Sequence, residues 1–368
     1  MSETASTSKK ALLFIPDISG YSNFVNETEA DHAIHIVQEL LETIIDSDSL
    51  GLEVSEIEGD AIFFYRPGAP PDLAILLEQV RRMFVNFHAQ LKRYETHRIC
   101  DCGACSTATN LTLKFITHYG SFSEANIKGR KSLFGNDVIL VHRLMKNGID
   151  SNEYALFTHQ VLDQSTTSIQ LADISWSGVE SGEEVYESGP VQYDYISLTP
   201  LVSEVPEPQK DNFELKGKMM EMLSSKGEIE APIDLVFDVV ADLSFRDQWM
   251  INIKGSDQVN NKITQNGSSH RCIIKDDKSD PFFISHGFKR EKGIISFEET
   301  EIKKGQFVKF ELKELPNNRT EIQYLFKMKN NPVLKLIFSL FLKRKFIKGM
   351  QKNFEALNGY VKELLNEG

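Results

Sequence analysis

Hydrophobic positions along the chain fall into two blocks of different pattern, separated by a proline-rich stretch. In the first block, strand and helix periods alternate. Residues 11–15 (ALLFI) are apolar without interruption, which predicts a strand buried on both faces. Between residues 29 and 46, Ile34, Val37, Leu40, Leu41, Ile44 and Ile45 recur at helical spacing. Residues 52–57 and 61–65 predict two strands joined by a tight turn at Glu58, Gly59 and Asp60. Leu73, Leu76, Leu77, Val80, Phe84, Phe87 and Leu91 mark a long amphipathic helix, and Leu111, Leu113 and Phe115 alternate as in a strand. Residues 137–146 again read as helix, and shorter strands follow to about Ile196. This order predicts an α+β sandwich with helices over one face of a mainly antiparallel sheet.

The second block opens with a short helix at 234–243, with Pro232 near its start. Strand patterns follow at about 269–275, 282–289, 294–300, 306–313 and 320–328. Val308, Phe310 and Leu312 share one face, as do Ile322, Tyr324 and Phe326. The block closes with a helix from about Val333 to Leu365, its stripe formed by Ile337, Leu340, Ile347, Met350, Phe354, Leu357, Val361 and Leu364. A curved antiparallel sheet around that helix is the economical arrangement. Between the blocks, residues 199–213 hold Pro200, Pro206 and Pro208 with no apolar periodicity, and read as an extended linker. The boundaries follow: a domain at 1–198 and a domain at 214–368.

A length of 368 residues suits two domains. Acidic residues outnumber basic ones 53 to 41, a net charge of −12, which argues against a general electrostatic grip on nucleic acid while leaving room for a local basic patch. The polar N-terminus has no signal-peptide pattern, and four cysteines are too few for a disulfide framework, so a cytoplasmic setting is expected. The apolar run 333–342 is half the length of a membrane span and contains Lys335, so no transmembrane segment is expected. The basic segment 342–352 beside it admits contact with an anionic membrane or with the first domain's acidic surface. A solvated helix face is the preferred reading.

Three groups of residues carry candidate chemistry. Asp17 and Asp60 sit at strand ends, where paired carboxylates suit one or two Mg²⁺ or Mn²⁺ ions clamping a phosphate; Gly-Asp is equally a turn signal. His97, Cys100, Cys102 and Cys105 crowd into one segment with the ligand types of a structural zinc site, against the alternative of reduced thiols without a ligand. Trp249, Phe310, Tyr324, Phe326 and Phe354 either line an apolar pocket for a small hydrophobic ligand or simply fill a core. Cys272 reads as a core thiol, and no acid–base–nucleophile set stands out in the second block.

The motifs FIPDISGY, EIEGDAIFF, THYG and KSLFGNDVILVHRL, in that order, resemble the class III nucleotidyl (adenylate and guanylate) cyclase homology domain, over about Lys10 to Gln164. The resemblance implies a ferredoxin-like, cyclase-type α/β sandwich working as a homodimer on a nucleoside triphosphate. It implies that Asp17 and Asp60 hold two metal ions and that the backbone at Ile18, Ser19, Gly20 and Tyr21 cradles the triphosphate. Glu56 and Ser132 fall on its purine-reading positions, and Arg143 on its transition-state arginine. The chain departs from the pattern at Ile139, where the family places a ribose-orienting asparagine. Losing one such polar contact costs on the order of 10²–10³ in rate. Metal–nucleotide binding with weak or absent cyclisation is therefore expected, the alternative being a non-enzymatic dimeric scaffold. Pro16 is a second oddity, since it removes a donor from a strand expected to be central. From about Leu215 to Leu365 the chain resembles the START-like superfamily (polyketide cyclase or Bet v 1-like), which implies a helix-grip fold holding a hydrophobic ligand.

Overall fold

The computed structural model describes residues 8–26, 30–98, 103–165, 170–187, 189–208, 218–258, 264–275, 281–301 and 303–367. The chain divides into two compact units, residues 1–96 with 102–208, and residues 97–101 with 209–368.

In the first unit, β1 (Lys9–Ser19) leads through α1 (Tyr21–Asn26) and α2 (Ala30–Asp46) to the hairpin of β2 (Glu53–Glu58) and β3 (Ala61–Pro67). After α3 (Leu73–His97) and α4 (Gly103–Thr107) comes β4 (Thr112–Ile127). These four strands lie in the order β2-β3-β1-β4, all antiparallel, so two interleaved βαβ units place β1 at the centre. Then β5 (Arg130–Phe134) folds back on β4, α5 (Asn136–Leu144) follows, and β6 (Tyr154–Thr158) runs parallel to β4. The short α6 (His159–Leu162) precedes β7 (Val179–Tyr186) and β8 (Gly189–Ser197), which extend the sheet as β6-β8-β7.

As the apolar run predicted, β1 is buried from Ala11 to Pro16. Leu13 and Ile15 join a core cluster with Phe63, Ile116, Val138, Val141 and Leu144, which puts α5 over that face. Leu12, Phe14, Phe64 and Phe115 on the opposite face are equally buried, and α2 and α3 carry the unit's other buried stripes. Helices over a single face is thus corrected: a strand apolar at every position needs cover on both sides. Pro16 fits because the ladder from β1 to β3 skips Ile15 and Pro16 and resumes at Asp17 opposite Ala61. The start of the proline-rich stretch is not extended. Thr199–Glu204 is a 3₁₀ helix with Leu201 buried, tied to α3 by Arg81 and Glu204; residues 209–213 lie outside the described residues.

Two of the ordered motifs prove to be one structural joint. Asp137, on the first turn of α5, accepts the Ser121 N–H at 2.5 Å and lies 3.5 Å from Nε2 of the buried His118, whose Nδ1 is 2.9 Å from Thr158 Oγ1. The contact requires Gly120, since a Cβ there would stand 2.3 Å from that of Asp137. Gly135, at φ +149°, brings the start of α5 down onto Ser121.

The second unit is a seven-stranded antiparallel sheet, curled, with a long C-terminal helix. It runs β9 (Met219–Ile229), α7 (Ile233–Ala241), α8 (Arg246–Trp249), β10 (Ile253–Gln258), β11 (Ser269–Ile274), β12 (Phe282–Glu291), β13 (Ile294–Glu301), β14 (Gln306–Leu315) and β15 (Arg319–Lys329). Strand order is β10-β11-β12-β13-β14-β15-β9. The closing helix comprises α9 (Pro332–Ile337), a π-helical segment Phe338–Leu342, and α10 (Lys343–Glu367). Met350, Phe354, Leu357 and Val361 bury the apolar stripe of α10 against a core that includes Leu223, Ile229, Phe310 and Ile322. Gly227 lets Phe354 approach, because a Cβ there would be 2.6 Å from its ring. The stripe departs from expectation at its start: Ile337 and Leu340 are exposed and Phe338 is buried instead. The π segment shifts the helical phase, so a stripe extrapolated at 3.6 residues per turn points the wrong way.

Candidate functional site

The register of β1 sets the site. Asp17 stands opposite Ala61 on β3 and opposite Lys114 on β4. Asp60 is the last residue of the β2–β3 turn, and its carbonyl accepts the Ile18 N–H at 3.0 Å. The two carboxyl groups therefore share one end of the sheet. Burial raises the Asp17 carboxyl above its ordinary range, with Lys114 acting against the rise. Burial also raises Asp60, and the negative charge of Asp17 raises it further.

Lys114 is the charged group at this end of the sheet that sequence reading missed. Its Nζ lies 3.1 Å from Asp17 Oδ2 and donates to the Met145 carbonyl, beyond the end of α5, at 3.0 Å. The two side chains of the pair are 16% and 14% exposed, so water screens them poorly. Tyr154 borders the same space, its hydroxyl pushed up to about 12 by burial first and then by Asp17, while Asn147 donates to its oxygen at 2.7 Å. The one available signal was a lysine on the apolar face of β4, two residues from Ile116.

The segment after Asp17 turns over this end. Ile18 is buried, Gly20 holds φ +89°, and Gly59 at φ +65° brings the hairpin turn beside Tyr21. Ser19 Oγ is buried with no hydrogen-bond partner among the described residues. Glu56 lies exposed on β2 opposite Phe63, and Ser132 half-buried on β5 opposite Ala125. Strands β2 and β5 meet where Lys131 lies 3.5 Å from Glu53. Arg143, in the last turn of α5, is half-exposed with Nη2 3.9 Å from Glu187 Oε2. Ile139 is 54% exposed.

His97 ends α3 and is buried, Cys105 is buried within α4, and Cys100 and Cys102 lie outside the described residues. Among the described residues no three His, Cys, Asp or Glu side chains gather as a metal site.

The second unit also contains buried polar chemistry. Arg246 on α8 donates from Nη2 to Glu299 Oε1 at 2.6 Å and from Nη1 to Oε2 at 3.2 Å, and both side chains are buried. Glu299 shares the inward face of β13 with Ile295 and Phe297, a break in the apolar alternation that was readable. His270 Nε2 is 4.0 Å from Glu299 Oε1, beyond hydrogen-bond reach, and burial pushes this imidazole down to about 4. Burial likewise pushes the Cys272 thiol up to about 11. Arg246 Nε, Trp249 Nε1 and both ring nitrogens of His270 are buried with no hydrogen-bond partner among the described residues. Trp249, Phe310, Phe326 and Phe354 belong to the core, with Tyr324 packed against it and ring centroids 6.2 Å apart for Trp249–Phe310 and 5.4 Å for Phe310–Tyr324.

Comparisons with known proteins match parts of the chain. Residues 37–154 match a family described as a protein of unknown function (DUF2652), a span that contains Asp60, Lys114 and Arg143 but not Asp17. The chain is 34% identical over 134 residues to the uncharacterized protein Rv2561/Rv2562 of Mycobacterium tuberculosis, covering 36% of this chain and 62% of that protein. It therefore spans less than two thirds of that relative's length. Among solved structures, the adenylyl cyclase CyaB from P. aeruginosa is similar over 51% of this chain and 94% of its own, with 15% identity and a TM-score of 0.36. The guanylyl cyclase domain of the RhoGC fusion protein from Blastocladiella emersonii is similar over 51% and 96%, with 14% identity and a TM-score of 0.35. The Zhui aromatase/cyclase from Streptomyces sp. R1128 is similar over 40% and 96%, with 13% identity and a TM-score of 0.30.

Proposed function

We propose that the first unit binds a metal–nucleoside triphosphate as a homodimer, with weak or no cyclisation to a cyclic nucleotide. The observation that carries this reading is the convergence of Asp17 and Asp60, close enough for one to raise the other's carboxyl. Two carboxylates and the oxygens of a triphosphate make a set of hard ligands for Mg²⁺ or Mn²⁺. With Lys114 already on Asp17, the unit itself supplies one of the positive charges that a polyphosphate needs. The buried, unpartnered Ser19 Oγ and the turn at Gly20 suit a phosphate oxygen above β1. Bound metal would lower the pKa of the ribose 3′-hydroxyl and brace the α-phosphate. Glu56 and Ser132 are assigned to the base and Arg143 to the phosphates of the partner's nucleotide. Dimerisation is supported by exposed apolar residues on this unit: Val54, Ile57, Ile127, Phe134 and Ile139.

For the second unit, the proposed occupant is a small hydrophobic ligand held among Trp249, Phe310, Tyr324, Phe326 and Phe354, with one acceptor group facing Arg246 Nε and Trp249 Nε1. The segment from His97 through Cys100 and Cys102 to Cys105 stays a structural-zinc proposal, tested by metal content of untagged protein.

The test of the main reading is calorimetric titration of the full chain with each nucleoside triphosphate, with and without Mn²⁺, followed by assay for cyclic product. Binding that needs Mn²⁺ and disappears in Asp17→Asn supports it; no binding at millimolar concentration removes it. The exposed Ile139 favours one rival, a dimeric scaffold with a degenerate site. Under the main reading Ile139→Asn raises or creates cyclase activity, whereas under the rival it changes nothing and no nucleotide binds.

A further inference from the structure

The start of the C-terminal helix is built unlike a helix that packs on protein. From Pro332 to Phe346 only Phe338 is buried. Val333 is 68% exposed, Leu336 61%, Leu340 68% and Phe341 75%, and Leu334, Ile337, Leu342 and Phe346 are exposed as well. At 100° per residue these positions spread around most of the helix circumference rather than forming a stripe. A helix that docks into a protein groove presents one apolar stripe and a polar back. One that is apolar almost all round suits a surrounding that is apolar on every side.

Charge narrows the occupant further. Between Pro332 and Phe354 the chain has six basic residues, Lys335, Lys343, Arg344, Lys345, Lys348 and Lys352, and no acidic one, in a protein of net charge −12. Apolar and basic residues are segregated along the axis, with the apolar run at 333–342 and a basic collar at 343–352. Ten helical residues reach about 15 Å, half the roughly 30 Å hydrocarbon thickness of a bilayer. Among the described residues no helix is long and apolar enough to cross a membrane. A second copy meeting this patch with the same patch would set six positive charges against six.

We propose that residues 332–352 form a peripheral docking site for an anionic lipid bilayer: the apolar tip enters one leaflet, and Lys343, Arg344 and Lys345 meet the headgroup phosphates. The π-helical turn at Phe338–Leu342 sits between the two parts and turns Phe338 onto Phe326 at 6.3 Å, so the tip is anchored to the sheet while its other apolar side chains stay outward. This site is independent of the nucleotide reading.

The experiment is co-sedimentation of the full chain with phosphatidylcholine vesicles, with and without about 30% phosphatidylserine. The expected result is pelleting with the anionic vesicles, weakened by added salt. Partition should fall more than tenfold in Phe341→Asp and in the triple charge reversal Lys343→Glu, Arg344→Glu, Lys345→Glu, with circular dichroism unchanged. Because Phe341 is 75% exposed, its replacement leaves the core intact. The proposal is overturned if the wild-type chain does not pellet with anionic vesicles, or if Phe341→Asp pellets equally well. It is overturned too if the patch instead drives self-association that Phe341→Asp abolishes without any vesicle binding.

Discussion

Lys114 Nζ lies 3.1 Å from Asp17 Oδ2, directly across the β1–β4 ladder. A fixed ammonium group therefore stands beside the carboxylates expected to bind metal, and it halves their combined charge. Any divalent cation entering there meets repulsion from Lys114 as well as attraction from Asp17 and Asp60. Lys114→Met should raise the affinity for Mn²⁺ alone by roughly tenfold, read by calorimetric titration without nucleotide. An unchanged or lower affinity would mean that Lys114 is not competing for the ion.

Both carboxyls are held above their ordinary value of 3.8, Asp17 by burial and Asp60 by burial and by Asp17. A raised carboxyl binds its proton more tightly in the folded chain, so ionising the pair costs folded-state stability as pH rises through the raised values. Mn²⁺ binding needs the ionised forms and should weaken on acidification at a pH above that of an ordinary carboxylate. Asp17→Asn should move the Asp60 titration down toward 3.8, measurable by carboxyl NMR shifts.

Gly120 is the tightest glycine position in the first unit, with Asp137 filling the space of a Cβ. Gly120→Ala should destabilise the chain by about 1–3 kcal/mol through overpacking of backbone that cannot move away. Asp137→Gly in the same background should restore part of the loss, because it removes the colliding Cβ together with the carboxyl. Thermal unfolding of the wild type and the two variants checks the order.

The Arg246–Glu299 pair is buried with bidentate geometry. Removing one partner leaves an unpaired interior charge, so Glu299→Gln or Arg246→Met should each cost about 3–5 kcal/mol. The double variant Arg246→Met, Glu299→Leu should be more stable than either single one, since no charge is then left buried. Denaturant midpoints of the four proteins would expose additive losses if the pair were not coupled.

His270 is buried neutral and pushed down to about 4 from 6.5. Its lowered value means that the unfolded chain takes up the proton first. Stability should therefore fall as pH drops from about 6.5 toward 4, by up to about 3 kcal/mol from this group. His270→Phe should flatten that part of the stability–pH profile.

Element order was legible where burial and period agree. Five of the seven strands of the second sheet, β11 to β15, begin and end within two residues of their predicted positions, whereas β9 and β10 were not predicted. The long closing helix was legible as a helix, but its first apolar turns were misassigned because a π-helical turn leaves no mark in a 3.6-residue pattern. Asp17 and Asp60 could be named from turn chemistry, while their convergence needed β1 to lie between β3 and β4. Lys114 and Glu299 were passed over because each is a charged residue inside a strand, where the usual expectation is an outward side chain.

By itself, the sequence determined the two-block organisation, the element types and the residue kinds available for chemistry, since these follow from local periodicity and composition. Only the tertiary structure decided which charges meet. Pairing of β1 with β4 set Lys114 on Asp17, and curling of the second sheet brought Arg246 from a short helix onto Glu299. It also decided that the apolar residues of 333–342 other than Phe338 stay in contact with solvent. Contacts between residues far apart in the chain depend on register and crossover, which a one-dimensional pattern does not encode.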